Sequence, residues 1–358
     1  MKLQRAKTSR TLGTNTCIIG DGAMGTLCAM ILARSGHAVR LWGRRPEHIA
    51  EIAATHENNL YLPGVRLPDQ IAFTSDDATA FDGCALILFA VPAQYIRGVL
   101  ERLKNHIPRL VPAVSVAKGI ENHSLLRPTQ IVQEVIGERP LAALSGPSIA
   151  TEIACGLPAT LVVASRDEHL TGRVQRLFTS SHLRIYRNTD LPGVELAGAV
   201  KNVIAIAAGI LDGLRAGTNA KAALLTRGLV EITRLGVAMD ARPETFSGLA
   251  GLGDLVTTCF APAGRNRTFG EFIGRGLAPP DAAARVRGVV EGMPTTQSVV
   301  ELARQHRVEM PISQCLHAVL FENKDPRQGI SDLMGRQPKY EHVRAAPPAA
   351  TARKTGAS

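Results

Sequence analysis

A lysine inside an otherwise apolar stretch has a residue type and a setting suited to chemistry. Between Leu196 and Leu211 the polar side chains are Lys201 and Asn202, which are adjacent. A run that is apolar all round predicts a helix buried on every face. Burial lowers the pKa of a lysine towards neutrality, so this stretch predicts a general acid/base at Lys201. The alternative is a structural lysine that pairs with a carboxylate from a neighbouring helix, and the stretch alone leaves both open.

A glycine-rich turn near the amino terminus predicts a nucleotide site. An apolar run at residues 16–19 is followed by Gly20, Gly22 and Gly25, which have the G-x-G-x-x-G spacing, and then by a helical pattern to about Ser35. Between a strand and a helix, such glycines let backbone N–H groups approach a pyrophosphate at the helix N-terminus. We therefore expect a bound dinucleotide.

The end of the second expected strand, residues 38–42, bears on cofactor choice. Two arginines follow it, Arg44 and Arg45, and the next acid is Glu47. NAD-preferring sites carry an acid about twenty residues after the glycine motif, whereas an arginine accepts the 2′-phosphate of NADP. NADP(H) is therefore the expected cofactor, with NAD(H) also accepted. Two solvated loop arginines are the alternative.

Strand and helix patterns alternate up to about residue 190, and helical patterns alone follow. The alternation predicts an α/β fold in which a parallel sheet is covered by helices and ligands lie at the carboxyl ends of the strands. We expect a Rossmann-type doubly wound sheet over residues 15–189, an all-helical C-terminal domain over 190–335, and disordered tails over 1–14 and 336–358. Further strands are expected near 71–74, 85–90, 113–116, 141–144 and 160–164.

Several polar residues follow these elements. Lys118 follows the strand at 113–116, Gly146 and Ser148 follow the strand at 141–144, and Asp254 and Arg265 lie between C-terminal helices. Simpler interpretations exist: Lys118 could be an exposed loop lysine, residues 146–148 an ordinary turn with a helix cap, and Asp254 a helix cap.

Combined with Lys201, these residues predict a cleft between the two domains. There Lys201 would protonate the oxygen of a reduced ketone, Asp254 would orient the ammonium group, and Arg265 would hold a phosphate or carboxylate.

Charge and cysteine content exclude several function classes. Of the net charge of +10, residues 1–14 carry +4 and residues 336–358 carry another +4, which leaves +2 for the body. So weak a field argues against nucleic-acid binding beyond the tails. The six cysteines are scattered without zinc-ligand spacing, which predicts buried thiols, no metal site and a reducing cytoplasm. The longest apolar run, residues 84–93, is too short for a membrane span.

From about Thr16 to Gly335 the sequence resembles the bacterial-type glycerol-3-phosphate dehydrogenase [NAD(P)+] family. The motifs that carry the resemblance are Leu144-Ser145-Gly146-Pro147-Ser148, residues 194–208 around Ala199-Val200-Lys201-Asn202, Gly251-Leu252-Gly253-Asp254-Leu255, Gly264-Arg265-Asn266 and Val290-Glu291-Gly292. The resemblance implies a fold like that of 6-phosphogluconate dehydrogenase and a homodimer. It also implies interconversion of dihydroxyacetone phosphate and sn-glycerol 3-phosphate for glycerophospholipid synthesis.

The resemblance further implies a role for each matching position, with Lys201 as the proton donor and acceptor. The substrate would be lined by Lys118, Gly146, Ser148, Lys201, Asp254, Arg265 and Asn266. The cofactor would contact, besides Gly20, Gly22 and Gly25 of the motif, Ala23, Met24, Arg44, Arg45, Lys118, Ala150, Arg265, Val289 and Glu291.

The chain departs from the family pattern at a few positions. Ala23-Met24 replaces a serine and an aromatic residue, Gly264 a serine, Ile149 a phenylalanine and Pro294-Thr295 a more polar pair. The polar site residues are intact, so we expect the same reaction with altered cofactor affinity. The alternatives are a related NADPH-dependent ketone reductase of the ketopantoate reductase type, a cofactor-binding regulator without catalysis, and a nucleic-acid binder that uses the tails.

Overall fold

The computed structural model describes residues 15–338 and 340–341, so most of the two expected disordered tails lies outside the described residues. Within that range the strands are β1 (Thr16–Ile19), β2 (Val39–Trp42), β3 (Glu57–Asn58), β4 (Leu62–Arg66), β5 (Ile71–Thr74), β6 (Leu86–Phe89), β7 (Ala113–Ser115), β8 (Leu141–Ser145), β9 (Ala159–Ala164) and β10 (Leu183–Asn188).

Three residues connect β1 to the first α-helix. Up to β10 the α-helices separate most of the strands, although no α-helix lies between β3 and β6. They are α1 (Ala23–Arg34), α2 (Pro46–Thr55), α3 (Ile96–Leu103), α4 (Pro128–Ile136), α5 (Ala150–Ala154), α6 (Glu168–Phe178), α7 (Leu191–Gly213), α8 (Thr218–Ala238), α9 (Pro243–Phe246), α10 (Asp254–Phe260), α11 (Arg265–Gly274), α12 (Pro279–Arg285), α13 (Gly292–Gln305), α14 (Pro311–Phe321) and α15 (Pro326–Met334). The predicted order, a Rossmann-like sheet followed by a helical region, is confirmed.

Eight strands form one sheet in the order β10-β9-β8-β7-β6-β1-β2-β5. Neighbouring strands are parallel except β8 and β9, which are antiparallel, so the expectation of a wholly parallel sheet is wrong at this pair. The connection between them contains only α5, a helix of five residues. Such a helix is about 7.5 Å long, too short to return the chain along a strand of roughly 17 Å, so β9 runs back instead.

Helix α7 is the centre of the C-terminal half. It is the one described helix long and apolar enough to span a membrane, but 94% of its most apolar window is buried within the protein. Helices α8, α10, α11 and α13 pack around it. Its length and apolar character therefore fit a core helix.

Helices α7 and α11 cross with their backbones in contact. A Cβ added to Gly270 would lie 2.0 Å from the carbonyl oxygen of Ile206, a distance no side chain tolerates. Four glycines make this approach sterically possible: Gly209 and Gly213 on α7, and Gly270 and Gly274 on α11. The crossing fixes the start of α11 beside the middle of α7.

The six cysteines are free thiols. Cys17, Cys28 and Cys259 are buried as expected, but Cys155 is exposed, so the expectation that all six are buried is wrong there. Cys155 follows the short helix α5 at the surface turn that leads into β9.

Candidate active site

One buried carboxylate holds two lysines where the sheet meets the helical region. Lys201 Nζ donates a hydrogen bond to Asp254 Oδ1 at 2.6 Å, and Lys118 Nζ donates to Asp254 Oδ2 at 2.6 Å. The side chain of Asp254 is 2% exposed and that of Lys201 is 7% exposed. The three residues come from α10, α7 and the segment after β7, so the fold brings together groups far apart in the sequence.

The surroundings of Lys201 tune its proton affinity. Burial lowers the pKa of Lys201 to about 8, because the buried ammonium loses its hydration. The Asp254 carboxylate opposes this fall in pKa, while the Lys118 ammonium adds to it. Lys201 can therefore give or take a proton near neutral pH. Lys201 is also paired with a carboxylate from another helix, as the structural alternative predicts. The same ion pair therefore fits both the structural and the acid/base interpretation.

The simpler interpretation of Asp254 as a helix cap is wrong. The N-cap position of α10 belongs to Gly253, and Asp254 is the first helical residue. Both of its carboxylate oxygens are engaged by lysines. Its role is electrostatic, since it neutralises two cations that would otherwise repel each other.

Lys118 connects the site to the loop after β8. Its Nζ also donates to the Gly146 carbonyl oxygen at 3.0 Å and to Ser148 Oγ at 3.2 Å. The side chain is 17% exposed, which excludes a free loop lysine. Ser148 Oγ donates to the Gly146 carbonyl oxygen at 3.0 Å, and the N-cap of α5 is Ile149, so Ser148 is not a cap either.

A glycine on α7, which was not predicted as a site residue, makes room for Lys118. A Cβ added to Gly198 would lie 2.9 Å from Ser145 Oγ and 3.5 Å from Lys118 Cγ. Gly198 stands three residues before Lys201, on the same stretch. A glycine in the interior of an apolar helix was the available signal, because it lowers helix stability unless close packing requires it.

Two asparagines extend the site towards α11. Asn202 Nδ2 donates to the Lys118 carbonyl oxygen at 3.1 Å, and Asn266 Nδ2 donates to Asn202 Oδ1 at 2.9 Å. Asn266 Oδ1 accepts the Gly292 N–H at 2.9 Å. Asn266 on α11 thus connects α7 and α13. Its side-chain amide has a second hydrogen, which could be donated to a ligand.

The start of α11 presents an anion-binding end. The helix begins at Arg265, and its N-cap is Gly264, which has no side chain to cap the first turn. Free first-turn N–H groups and the helix dipole favour an anion there. The Arg265 side chain is exposed, and its Nη1 donates to the Val289 carbonyl oxygen at 3.0 Å.

Glu291 lies near the carboxyl ends of β6 and β7. Its Oε2 is buried and has no hydrogen-bond partner among the described residues. Burial raises the pKa of Glu291 to about 7, against the opposing effects of Arg265 and of a hydrogen bond from the Ala93 backbone. A Cβ added to Gly119 would lie 3.0 Å from Oε2. An unpaired acceptor here suits a ligand that supplies a donor.

The glycine loop after β1 fits a pyrophosphate. Gly20 has φ +116°, and a Cβ there would lie 2.8 Å from the Ala90 carbonyl oxygen; a Cβ on Gly25 would lie 1.9 Å from the Gly20 carbonyl oxygen. A Cβ on Gly22, the N-cap of α1, would meet no described atom within 4 Å, so this side is open. Ala23 and Met24 begin α1, and no side chain caps the N–H groups of this first turn.

The arginines proposed for the 2′-phosphate lie away from the lysine cluster. Arg44 and Arg45 are exposed and follow β2, which β1 and β6 separate from β7 in the sheet. That is about 14 Å at the usual strand spacing. A dinucleotide is extended, so its two ends would occupy these two regions. Ala150 begins α5, next to the Gly146–Ser148 loop.

Comparison with known proteins gives matches over most of the chain. The model described as NAD-dependent glycerol-3-phosphate dehydrogenase N-terminus matches residues 15–171, and the corresponding C-terminus model matches 190–331. Proteins named glycerol-3-phosphate dehydrogenase [NAD(P)+] are similar: that of Geobacter sp. (strain M21) is 47% identical over 91% of this chain and 98% of its own length. That of Geobacillus kaustophilus is 45% identical, over 91% and 96%.

Solved structures agree with these sequence matches. The crystal structure of glycerol-3-phosphate dehydrogenase from Coxiella burnetii superposes with a TM-score of 0.88 at 38% identity, covering 91% of this chain and 100% of that one. A ketopantoate reductase of the PanE/ApbA family from Ralstonia eutropha gives 0.56 at 18% identity, covering 88% and 100%, which shows a shared fold alone.

Proposed function

This chain belongs to the NAD-dependent glycerol-3-phosphate dehydrogenase family, and we propose that it reduces dihydroxyacetone phosphate to sn-glycerol 3-phosphate with NAD(P)H. It is an NAD(P)-dependent oxidoreductase acting on CH–OH groups, and its product enters glycerophospholipid synthesis. The observation that carries the proposal is the single carboxylate of Asp254 shared by Lys201 and Lys118.

Lys201 performs the proton transfer in this proposal. Reduction of a ketone leaves negative charge on its oxygen, and that oxygen needs a proton as the charge develops. The nicotinamide group, when bound, supplies the hydride. Lys201 Nζ gives its proton to the oxygen, and Asp254 keeps the ammonium charged and oriented. In the opposite direction, neutral Lys201 accepts the proton of the C2 hydroxyl group.

The helical side of the cleft binds the phosphate. Arg265 supplies a rigid pair of N–H donors, the first turn of α11 supplies backbone N–H groups, and Asn266 adds its remaining amide hydrogen. Lys118, Gly146 and Ser148 line the other end of the substrate, beside Asp254. Three sources of positive potential at one helix end favour a doubly charged phosphate over a carboxylate.

The sheet side binds the cofactor. The pyrophosphate lies against the glycine loop and the start of α1, at Gly20, Gly22, Ala23, Met24 and Gly25. Arg44 and Arg45 accept the 2′-phosphate, so NADP(H) is preferred while NAD(H) is also used. At the nicotinamide end the cofactor contacts Lys118, Ala150, Arg265, Val289 and Glu291.

The proposal also includes a boundary between two domains and a location in the cytoplasm. The chain divides between residues 189 and 190, where β10 ends and α7 begins. Six free thiols support a location in a reducing cytoplasm.

We further propose that the protein is a homodimer. Three apolar side chains, spaced four residues apart over residues 252–260, are exposed: Leu252, Val256 and Phe260, with exposures of 41%, 40% and 52%.

The assembly is tested by light scattering after size-exclusion chromatography. The variant Phe260→Glu should elute as a monomer, since it buries a charge in the interface. Leu157→Glu, which changes a side chain of 52% exposure on the β8–β9 connection, should stay dimeric. A dimeric Phe260→Glu protein would refute this choice of interface.

The reaction is tested by following NADPH oxidation with dihydroxyacetone phosphate and, separately, with ketopantoate. Turnover with the phosphate alone is expected. Lys201→Met should lower kcat by about 10²- to 10⁴-fold while NADPH binding is retained. No turnover of the wild type with dihydroxyacetone phosphate would refute the function, and cofactor binding without turnover of either ketone would identify a non-catalytic regulator.

A further inference from the structure

An acidic side chain lies inside the glycine turn after β1. Asp21 stands between Gly20 and Gly22, and its Oδ2 lies 3.6 Å from Nε2 of His48 in the first turn of α2. Both atoms are buried, and neither has a hydrogen-bond partner within the described chain. Burying a carboxylate oxygen without a full hydrogen bond costs stability. The stability of the fold therefore does not explain this acid.

The backbone of Asp21 is held from behind. Its carbonyl oxygen accepts a hydrogen bond from Asn58 Nδ2 at 2.8 Å and a longer one from Thr26 Oγ1 at 3.3 Å. Asn58 is fully buried and also donates to Thr26 Oγ1 at 2.8 Å. The backbone of Asp21 is thus held in place within the glycine loop, while 19% of the Asp21 side-chain surface stays exposed.

The carboxylate lies directly under the turn that carries the two arginines. A Cβ added to Gly43, the residue before Arg44, would lie 2.9 Å from Asp21 Cγ. His48 contacts the ring of Tyr61 edge-on, with centroids 5.7 Å apart. Arg45 Nη2 in turn donates to the Tyr61 hydroxyl at 3.2 Å. The acid and the arginine therefore belong to one connected group, which we call the adenosine-end cluster: Asp21, His48, Tyr61 and Arg45.

We propose that Asp21, positioned by His48, sets the choice between NADP(H) and NAD(H). The proposal depends on the proposed function only in that a dinucleotide binds the glycine loop. In NAD-preferring sites a carboxylate at the end of the second strand accepts the ribose 2′-hydroxyl. In this protein Asp21, from the glycine turn after β1, places a carboxylate beside the end of β2. Its negative charge opposes a 2′-phosphate that Arg44 and Arg45 attract, so both cofactors stay usable.

The test is an equilibrium titration of the full-length protein with NADPH and with NADH, followed by the fluorescence of the nicotinamide. In Asp21→Asn the ratio of the Kd for NADH to the Kd for NADPH should rise about fivefold, because a like charge near the 2′-phosphate is removed. Asp82→Asn is the matched control, since it removes a carboxylate of 64% exposure at the amino end of the sheet. Its ratio should equal that of the wild type.

Variants of His48 test the positioning role. His48→Ala frees the Asp21 carboxylate and should change the ratio, whereas His48→Gln keeps a donor towards it and should restore the wild-type ratio. An unchanged ratio in Asp21→Asn, or equal weakening of both cofactors, would overturn the proposal. Asp21→Ser replaces Asp21→Asn if that variant does not fold. Since only binding is measured, a wild type that binds both cofactors without reducing the ketone would refute the proposed function and leave this test intact.

Discussion

Replacing Asp254 by asparagine removes its charge while nearly preserving its shape. Burial lowers the pKa of Lys201 to about 8 even though the Asp254 carboxylate opposes the shift. In Asp254→Asn, burial and the Lys118 ammonium remain, and both favour neutral Lys201. The pKa of Lys201 should therefore fall further, and the proton donor should be lost at a lower pH.

The size of this fall follows from the geometry. Two unit charges about 4 Å apart interact by about 4 kcal/mol at an effective dielectric constant near 20, which corresponds to about three pKa units. The Asp254 carboxylate is shared, since Lys118 binds its other oxygen at the same 2.6 Å. Because two ammonium groups share one carboxylate charge, we assign about half of this interaction to Lys201. The pKa of Lys201 should therefore fall by about one to two units in Asp254→Asn.

The assay is the pH dependence of kcat in both directions. Reduction needs protonated Lys201, so kcat for dihydroxyacetone phosphate should fall as the pH rises through about 8 in the wild type. Oxidation of sn-glycerol 3-phosphate needs the neutral amine and should rise through the same pH. In Asp254→Asn both inflections should move down by about one to two pH units.

A second Lys–Asp pair, between Asp212 on α7 and Lys221 on α8, provides the control. Lys221 Nζ donates to Asp212 at 2.9 and 2.8 Å, at the far end of α7 from Lys201. Asp212→Asn should leave both inflections where the wild type has them. If Asp254→Asn also left them unchanged, Lys201 would not be the titrating group, and the proposed mechanism would be refuted.

Three further outcomes are expected. Arg44→Asp with Arg45→Ala should shift the preference from NADPH towards NADH, and an unchanged kcat/KM ratio would place the 2′-phosphate elsewhere. Gly270→Ala should lower the free energy of unfolding in urea by about 3 kcal/mol, because its methyl group would lie 2.0 Å from a backbone oxygen of α7. Gly98→Ala, with open space around it, should cost nothing. Burial raises the pKa of Glu231 from 4.5 to about 7, so the folded state keeps a proton that the unfolded state loses. Stability should then fall by about 3 kcal/mol as the pH rises from about 4.5 to 7, and Glu231→Gln should lack that fall.

The order of the elements could be predicted from the sequence, but the direction of one strand could not. Alternation of apolar runs with helical periods located β1, β2 and β5 to β9. A hydrophobic pattern is the same whichever way a strand runs, so the antiparallel β9 gave no signal. The edge strand β10 was missed because Arg184, Tyr186 and Arg187 interrupt its apolar character.

The site was predictable as a set of residue types but not as a set of contacts. Lys201 was visible because a charge inside an apolar stretch is unusual. Asp254 resembled a cap, since aspartate is favoured at helix starts, and its partners lie 53 and 136 residues away. Asp21 was missed because the glycine motif treats the residue between Gly20 and Gly22 as free to vary. Its importance depends on His48, which only the folded chain brings near.

The glycine crossing of α7 and α11 explains how a core helix can also carry the proposed proton donor. Lys201 and Asn202 are fixed to α7, and the proposed phosphate-binding groups Arg265 and Asn266 are fixed to the first turn of α11. Asn266 reaches Asn202 at 2.9 Å. Such a bond between two short side chains requires the helix axes to lie unusually close. Side chains at the crossing would separate the helices, so the glycines at positions 209, 213, 270 and 274 set the distance between Lys201 and the proposed phosphate site.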